Sequence, residues 1–383
     1  MKLKGFKNSN IYVHGQGIVK SSLSVIDGKI AKIDPGIAED GLLELDDKYI
    51  VLPGFIDKHI HGANSSDFMN PSSKDIQNIL SAVVKEGTTS VLATTMTQDI
   101  QIIEACLKNI ASYIEKQPSG TEILGIHLEG PFISPKHAGA QPEQYIIPCN
   151  VDTFRQLNQA ARGHIKQVTI AYEEQGSALA KYLKENDIVI SLGHTDATYQ
   201  QAVEAISLGA TSVSHMFNAM RGLHHRDAGM VGASLLHKEL SCELICDLIH
   251  VSAPAVELLY KNKGHQGICL ITDAMEAKWM PDGMYQLGGQ TVLVRNGEAR
   301  LEDGTLAGST LKMNEAIKNF MKTTNCSLTE AVDMATLYPA KCLNVEDRKG
   351  SIEENKDADF VVVDTDLNVY MTVCKGEISY LKQ

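Results

Sequence analysis

Proline is scarce, at 11 of 383 residues, and no tract of biased composition breaks the chain. With 43% apolar and 21% charged residues, the composition excludes disorder as the main state and describes an ordinary folded globule. At roughly 150 residues per domain, the length allows two or three domains, or one large barrel with an appendage. No apolar run approaches the ~18 residues that a membrane span requires, and the start, MKLKGFKNSNIYV, has no apolar export core. A soluble, cytoplasmic protein without a membrane partner is expected. None of the eight cysteines, at 106, 149, 242, 246, 269, 326, 342 and 374, forms a C-x-x-C pair. A chain of this length folds without disulfides, so the thiols are expected to be reduced and mostly buried. Basic charge is also in deficit: 35 Lys and Arg against 47 Asp and Glu leave a net charge of −12. That balance opposes nucleic-acid binding through a broad basic face, and any anionic ligand must be met by local charges.

What is present falls into three parts. Residues 1–50 contain short extended segments rich in β-branched residues, broken at Gly28, Pro35-Gly36 and Asp46-Asp47. Residues 356–383 behave alike, with DADFVVVDTD, NVYMTVC and EISYL. Neither flank can bury a core alone, so the two are expected to pair into one small β-sandwich domain. Residues 51–355 form the second expected domain. There, eight apolar strand candidates (IVLPGFID, SVLATT, EILGIHLE, KQVTIAY, IVISLGH, TSVSHMF, CELICDLIH and GICLITDA) alternate with helical patterns at 73–86, 99–116, 152–162, 176–185, 198–207 and 253–261. Two further helical segments, 312–323 and 328–336, follow, and Ser327 with Glu330 reads as a capping box. The pattern predicts an α/β fold, a (β/α)8 TIM-like barrel whose functional residues sit where strands end.

The polar residues at those ends carry the chemistry. His59 and His61, two apart on an extended strand, leave it on the same face, a geometry that suits a metal. Glu129 ends the third strand candidate, His194 the fifth and His215 the sixth. One Glu and two His supply three ligands and leave a fourth position open, as in a catalytic metal site. Any one of these residues alone is more often a satisfied core or loop residue; their joint placement at three strand ends argues for the site. Asp273 ends the eighth candidate and can take a proton from water and hand it to a leaving nitrogen, as amide hydrolysis requires. No G-x-S-x-G is present, and no nucleophilic serine is needed. Met216 and Met220 read as packing, and His224-His225 as loop residues.

PGFIDKHIHG, HLEGPFISPKHAGAQP, GHTDAT, SHMFNAM, DLIHVS, TDAM, GTLAGST and MATLYPA run in order from about 51 to 350. In these motifs the sequence resembles the amidohydrolase superfamily, and within it the N-acetylglucosamine-6-phosphate deacetylase family. The resemblance implies metal-dependent removal of acetate from a phosphorylated amino sugar, with Glu129, His194 and His215 on the principal metal and Asp273 as catalytic acid and base. It further implies sugar contacts from Asn218 and Ala219, phosphate contacts from Arg226 and His250, and a sugar pocket lined by Leu306, Ala307, Gly308 and Ala140. In that family the arginine at 226 serves the neighbouring subunit, which implies a homodimer. Some members carry a histidine where Gln141 stands, while this chain has His137 nearby, so either is a candidate partner of the substrate carbonyl. Members that keep the H-x-H can hold two metals, and His59 and His61 favour a second ion bridged by Glu129. One or two divalent ions per subunit are thus expected, and the donors suit Zn, Fe, Mn or Co alike. A dihydroorotase-like enzyme would carry a modified lysine after strand four, where this chain reads AYEE, and a non-catalytic scaffold would have lost ligands.

Overall fold

Eight parallel strands do alternate with helices through the middle of the chain. The computed structural model describes residues 1–37, 39–70, 72–116 and 118–382. The strands are β1 (Phe55–Ile60), β2 (Thr88–Thr94), β3 (Glu122–Glu129), β4 (Ile165–Ile170), β5 (Val189–Leu192), β6 (Ala210–Val213), β7 (Ser241–Ile245) and β8 (Ile268–Ile271). They pair in chain order, all parallel. Just past the strand ends, Asp273 N donates to His59 O at 2.8 Å and His61 N to Ala274 O at 2.9 Å. The Asp57 carboxylate accepts from Thr272 Oγ1 at 2.5 Å and from its N–H at 3.2 Å. These bonds join first strand to last and complete the (β/α)8 barrel.

The helices form where capping and periodicity agree. Ser72, Asp99, Asn150 and Thr198 each accept a backbone N–H of the following first turn, which satisfies an otherwise orphaned donor and stabilises the helix by about 1 kcal/mol. The helix Ile100–Glu115 buries Ile103, Cys106, Leu107 and Ile110, the i, i+3, i+4, i+7 stripe that faces a core. Ser327 and Glu330 form the expected capping box.

Three elements depart from expectation. The run IVLPGFID is not one strand: Ile50–Pro53 joins the terminal sheet, and the barrel begins at Phe55. Gly54 makes the switch because a Cβ there would fall 2.3 Å from the Thr89 side chain. The helix Gly229–Leu236 had no periodic signature, since it is buried almost all round. Finally, Gly283–Leu287, Gln290–Arg295 and Glu298–Arg300 form an antiparallel three-stranded sheet inserted after β8. Its two-residue loops, Gly288-Gly289 and Asn296-Gly297, have positive φ throughout (58°, 80°, 51°, 81°), the geometry that matches strand twist in a tight hairpin. Leu287, Val292 and Val294 turn inward onto Met96, Met275 and Ala307.

The two flanks pair in one eight-stranded sheet, in the order Glu377–Leu381, Val369–Cys374, Phe360–Val363, Ile50–Pro53, Gly5–Val13, Gly17–Ile26, Lys29–Ile33, with Leu43–Glu44 beside Gly5–Val13. Alternation along Phe360–Val363 explains why all four residues are buried. Phe360 and Val362 pack with Phe6, Ile11 and Leu23, while Val361 and Val363 pack with the barrel core.

An ion cluster links the barrel to this sheet. Lys349 Nζ lies 2.8 Å from Glu122, 3.0 Å from Asp357 and 2.5 Å from Asp359, and Arg348 spans Glu122 and Asp357. Burial alone would raise Glu122, but hydrogen bonds from Arg348 and the charge of Lys349 lower it from 4.5 to about 2. A carboxylate depressed on folding stabilises above its unfolded value and loses that contribution as pH falls through its folded value. The stability gap between the parent and Glu122→Gln is therefore expected to shrink from pH 4.5 towards pH 2 by up to ~3 kcal/mol, measured by urea unfolding at each pH.

Candidate active site and metal centre

Every residue assigned to the metal or to proton transfer lies at the carboxyl end of a barrel strand. His59 lies within β1 and His61 just after it, Glu129 is the last residue of β3, and His194, His215 and Asp273 follow β5, β6 and β8 by two residues. The last three adopt positive φ, at 45°, 29° and 48°, a conformation that non-glycine residues keep only where surrounding packing enforces it. The barrel enforces it here and turns all three side chains onto one point.

Glu129 occupies that point. Its Oε1 lies 3.0 Å from His215 Nε2, 3.3 Å from His59 Nε2 and 3.4 Å from His194 Nε2, and its Oε2 lies 3.3 Å from His61 Nε2. His194 Nε2 and His215 Nε2 are 3.1 Å apart. Asp273 Oδ1 sits 3.0 Å from His61 Nε2 and 3.6 Å from His59 Nε2. Two donor groups overlap: His59, Glu129 and His215 converge within 4.8 Å, as do His59, His61 and Asp273.

The donors fit an ion. His194 Nδ1 is 2.8 Å from His137 O and His59 Nδ1 is 2.7 Å from Glu243, which places each ring's N–H on Nδ1 and aims the Nε2 lone pair at Glu129. His59 Nε2 is buried without a hydrogen-bond partner. Separations of 3.0–3.4 Å match the edge of a tetrahedron with bonds of about 2.0–2.1 Å. Burial would raise the Glu129 carboxyl, yet the charge of His59 and the imidazoles of His194 and His215 beside it hold it well below the usual carboxylate range. Asp273 is likewise lowered against its burial, by His59 and His61. Glu129 and Glu243 raise His59 well above its usual value despite burial, so an ion bound here competes with protons.

A cavity of about 360 Å³ opens above the cluster. Of the residues singled out for substrate, Ala140, Gln141, Asn218, Ala219, His250, Leu306 and Gly308 line it, together with His61, Glu129, His194, His215 and Asp273. His59 lies behind the wall, fully buried. His137 is not among the residues that line the cavity: its Nε2 is 3.1 Å from Asp196 and its carbonyl lies 2.8 Å from His194 Nδ1, whereas Gln141 does line it. Ala307 is buried in the apolar cluster beneath the inserted sheet. Arg226 lies outside the cavity, exposed, with Nη1 2.7 Å from His225 Nε2.

Sequence reasoning missed two groups. Glu243 on β7 is fully buried, holds His59, and is itself held by Lys58 at 2.9 Å and Gln167 at 2.8 Å. The signal was available, because an acid inside the apolar strand CELIC and a lysine inside FIDKHIH must pair or carry function. Met96, Leu287, Arg300 and Thr305 also line the cavity, the last three from the inserted segment.

The amidohydrolase family signature matches residues 50–379. The chain is 41% identical to the N-acetylglucosamine-6-phosphate deacetylase of Bacillus subtilis (strain 168), over 98% of this chain and 97% of that relative. It is 36% identical to the N-acetylgalactosamine-6-phosphate deacetylase of Escherichia coli O157:H7, over 93% and 94%. The crystal structure of the N-acetylglucosamine-6-phosphate deacetylase of Thermotoga maritima superposes with a TM-score of 0.90 at 36% identity, over 99% of this chain and all of that one. The barrel, its ring of histidines and carboxylates, and likeness along nearly the whole length agree: the chain belongs to the amidohydrolase family, on the branch that holds these amino-sugar-phosphate deacetylases.

Proposed function

We propose that the chain hydrolyses the acetamide of N-acetyl-D-glucosamine 6-phosphate to D-glucosamine 6-phosphate and acetate, in amino-sugar catabolism or recycling. The observation that carries this reading is the Glu129-centred cluster of histidines with Asp273 against one cavity, in a chain that is similar from end to end to enzymes of that name. Glu129, His194 and His215 would hold one divalent ion, Zn, Fe, Mn or Co, and His59 and His61 together with Glu129 would hold a second. Such an ion supplies Lewis-acid chemistry, acidifying water and polarising a carbonyl.

The chain's own residues do the rest. Asp273 accepts a proton as water oxygen bonds to the acetyl carbon. Gln141 has a fixed amide orientation, since its Oε1 accepts Thr97 N–H at 2.7 Å and its Nε2 donates to Glu129 at 2.9 Å. Its second N–H remains for the developing oxyanion. Asp273 then returns the proton to the sugar nitrogen, which leaves as an amine when the C–N bond breaks; an unprotonated amide nitrogen would not depart. Asn218 and the Ala219 backbone hold the sugar. His250, whose Nδ1 is fixed by Asp247 at 2.6 Å, faces the phosphate with Arg226 from a second copy of the chain. A cytoplasmic homodimer is the setting this reading implies; among the described residues no helix is long and apolar enough to cross a membrane.

The direct test is acetate release from N-acetylglucosamine 6-phosphate by protein loaded in turn with each of the four metals. A protein that binds metal yet releases no acetate with any of them sinks the reading. Arg226→Ala is expected to lower kcat/KM for the phosphorylated sugar by roughly 10- to 150-fold and to leave the unphosphorylated sugar nearly unchanged. Mixing that variant with Asp273→Asn is expected to restore part of the activity, because one mixed site regains both intact residues. No recovery despite proven subunit exchange would place Arg226 outside the neighbouring site.

A further inference from the structure

We propose that Arg300, oriented by Glu298, reads the ring hydroxyls of the sugar and thereby sets which epimer the site accepts; this rests on the deacetylase reading above. Arg300 ends the last strand of the inserted sheet and lines the cavity beside Thr305 and Leu306. Among the described residues lining that cavity it is the only lysine or arginine. Its guanidinium is held in place. Nε donates to Glu298 Oε2 at 2.9 Å, Nη2 lies 2.9 Å from the same carboxylate oxygen, and Nη1 donates to Gly304 O at 2.8 Å. A guanidinium carries five N–H groups in a rigid fork, so at least two remain for a ligand.

The backbone is fixed as well. Arg300 and Leu306 are bridged antiparallel, and Ala307 N donates to Ala299 O at 3.0 Å, so the fork keeps its place against the wall formed by Leu306 and Gly308. Glu298 compensates the charge locally. The pair therefore presents donors without the net positive charge that a phosphate dianion calls for, and neutral hydroxyl oxygens are the matching acceptors. The substrate offers them at the right place. With the C2 acetamide against Asp273 and the 6-phosphate at the opposite end of the ring, the C3 and C4 hydroxyls form the edge between, and the gluco and galacto configurations differ at C4. A fork held on the wall that it shares with Leu306 and Gly308 meets that edge.

The test compares kcat/KM for N-acetylglucosamine 6-phosphate, its 4-epimer and unphosphorylated N-acetylglucosamine, in the parent, Arg300→Gln and Arg300→Lys, with metal content and unfolding temperature measured alongside. The parent is expected to prefer one epimer. Both variants are expected to lose roughly 10- to 150-fold on that epimer and little on the other, with metal content and the phosphorylated-to-unphosphorylated ratio unchanged. Lysine is expected not to restore the preference, because a point charge lacks the fork. A second variant, Glu298→Gln, retains the guanidinium and its Gly304 bond and is expected to shift the epimer ratio in the same direction by a smaller factor. A parent with no epimer preference, or variants that lose both epimers equally, or a selective loss on the phosphorylated sugar, would each overturn the proposal. A parent that releases acetate from none of the sugars would instead refute the deacetylase reading itself.

Discussion

The Glu129→Gln variant is expected to fold normally, to come out of purification without its metal, and to release no measurable acetate. Both oxygens of Glu129 are engaged, one facing His59, His194 and His215 and the other His61 and Gln141. An amide keeps the shape but replaces one acceptor with an N–H donor. That donor either opposes the Gln141 amide or points a hydrogen at the histidine lone pairs, and the negative charge at the centre disappears. Losing an outer partner of a ligand already lowers metal affinity by roughly 10- to 100-fold, so losing the bridging ligand is expected to cost more than that. Elemental analysis, acetate release and thermal unfolding, run together, separate metal loss from misfolding. Full metal content with full activity would remove Glu129 from the centre. His59→Asn should be milder, lowering the metal-to-protein ratio from about two to about one where both ions are held.

Asp273→Asn is expected to keep its metal and lose roughly 10²- to 10⁴-fold in kcat, the usual contribution of general acid–base catalysis. The side chain is almost fully buried, next to His61, in a position set by its backbone bond to His59. An asparagine fits the same space, retains an oxygen towards His61, and cannot carry a proton from water to nitrogen. Because the proposed role spans both attack and departure, the defect should persist with amide substrates whose leaving group is poor and diminish when the leaving amine is made acidic. Near-normal turnover of the sugar phosphate would mean that another group moves the proton.

These residues were legible because barrel strands leave a simple trace. A short β-branched run followed by a charged or ligating residue, as in EILGIHLE or SVSHMF, marks both the strand and the chemistry at its end. The flanks were legible for the same reason, through alternation. What escaped had no periodic signature of its own. Ile50–Pro53 and Phe55–Ile60 read as one apolar run, and the break at Pro53-Gly54, where Gly54 sits against Thr89, shows only in the fold. The inserted sheet lay between the eighth strand candidate and the helical segment 312–323, in a stretch to which no element was assigned, although its G-G and N-G pairs and the alternation of QTVLVR spell two hairpins. With it went Arg300 and Leu287. Glu243 and Lys58 went unnoticed because an interior ion pair is a property of neighbouring strands, and no single segment displays it.

The terminal sheet has a consequence for synthesis. Strand Gly5–Val13 pairs with Ile50–Pro53, which pairs in turn with Phe360–Val363, so about 300 residues must be made after the first strands before the sheet can close. At the usual 5–20 residues per second this leaves an interval on the order of 15–60 s. Through that interval the early hairpins present unpaired edges, and the faces of Phe6, Ile11 and Leu23 lack their late partners Ile352, Phe360, Val362 and Met371. The barrel, whose pairings join neighbours in the chain, can form as it emerges, and the ribosome then delivers the missing strands to a nearly finished molecule. The nascent protein is most exposed to aggregation at its oldest segment, and a slow stretch of translation ahead of residue 360 would lengthen that exposure.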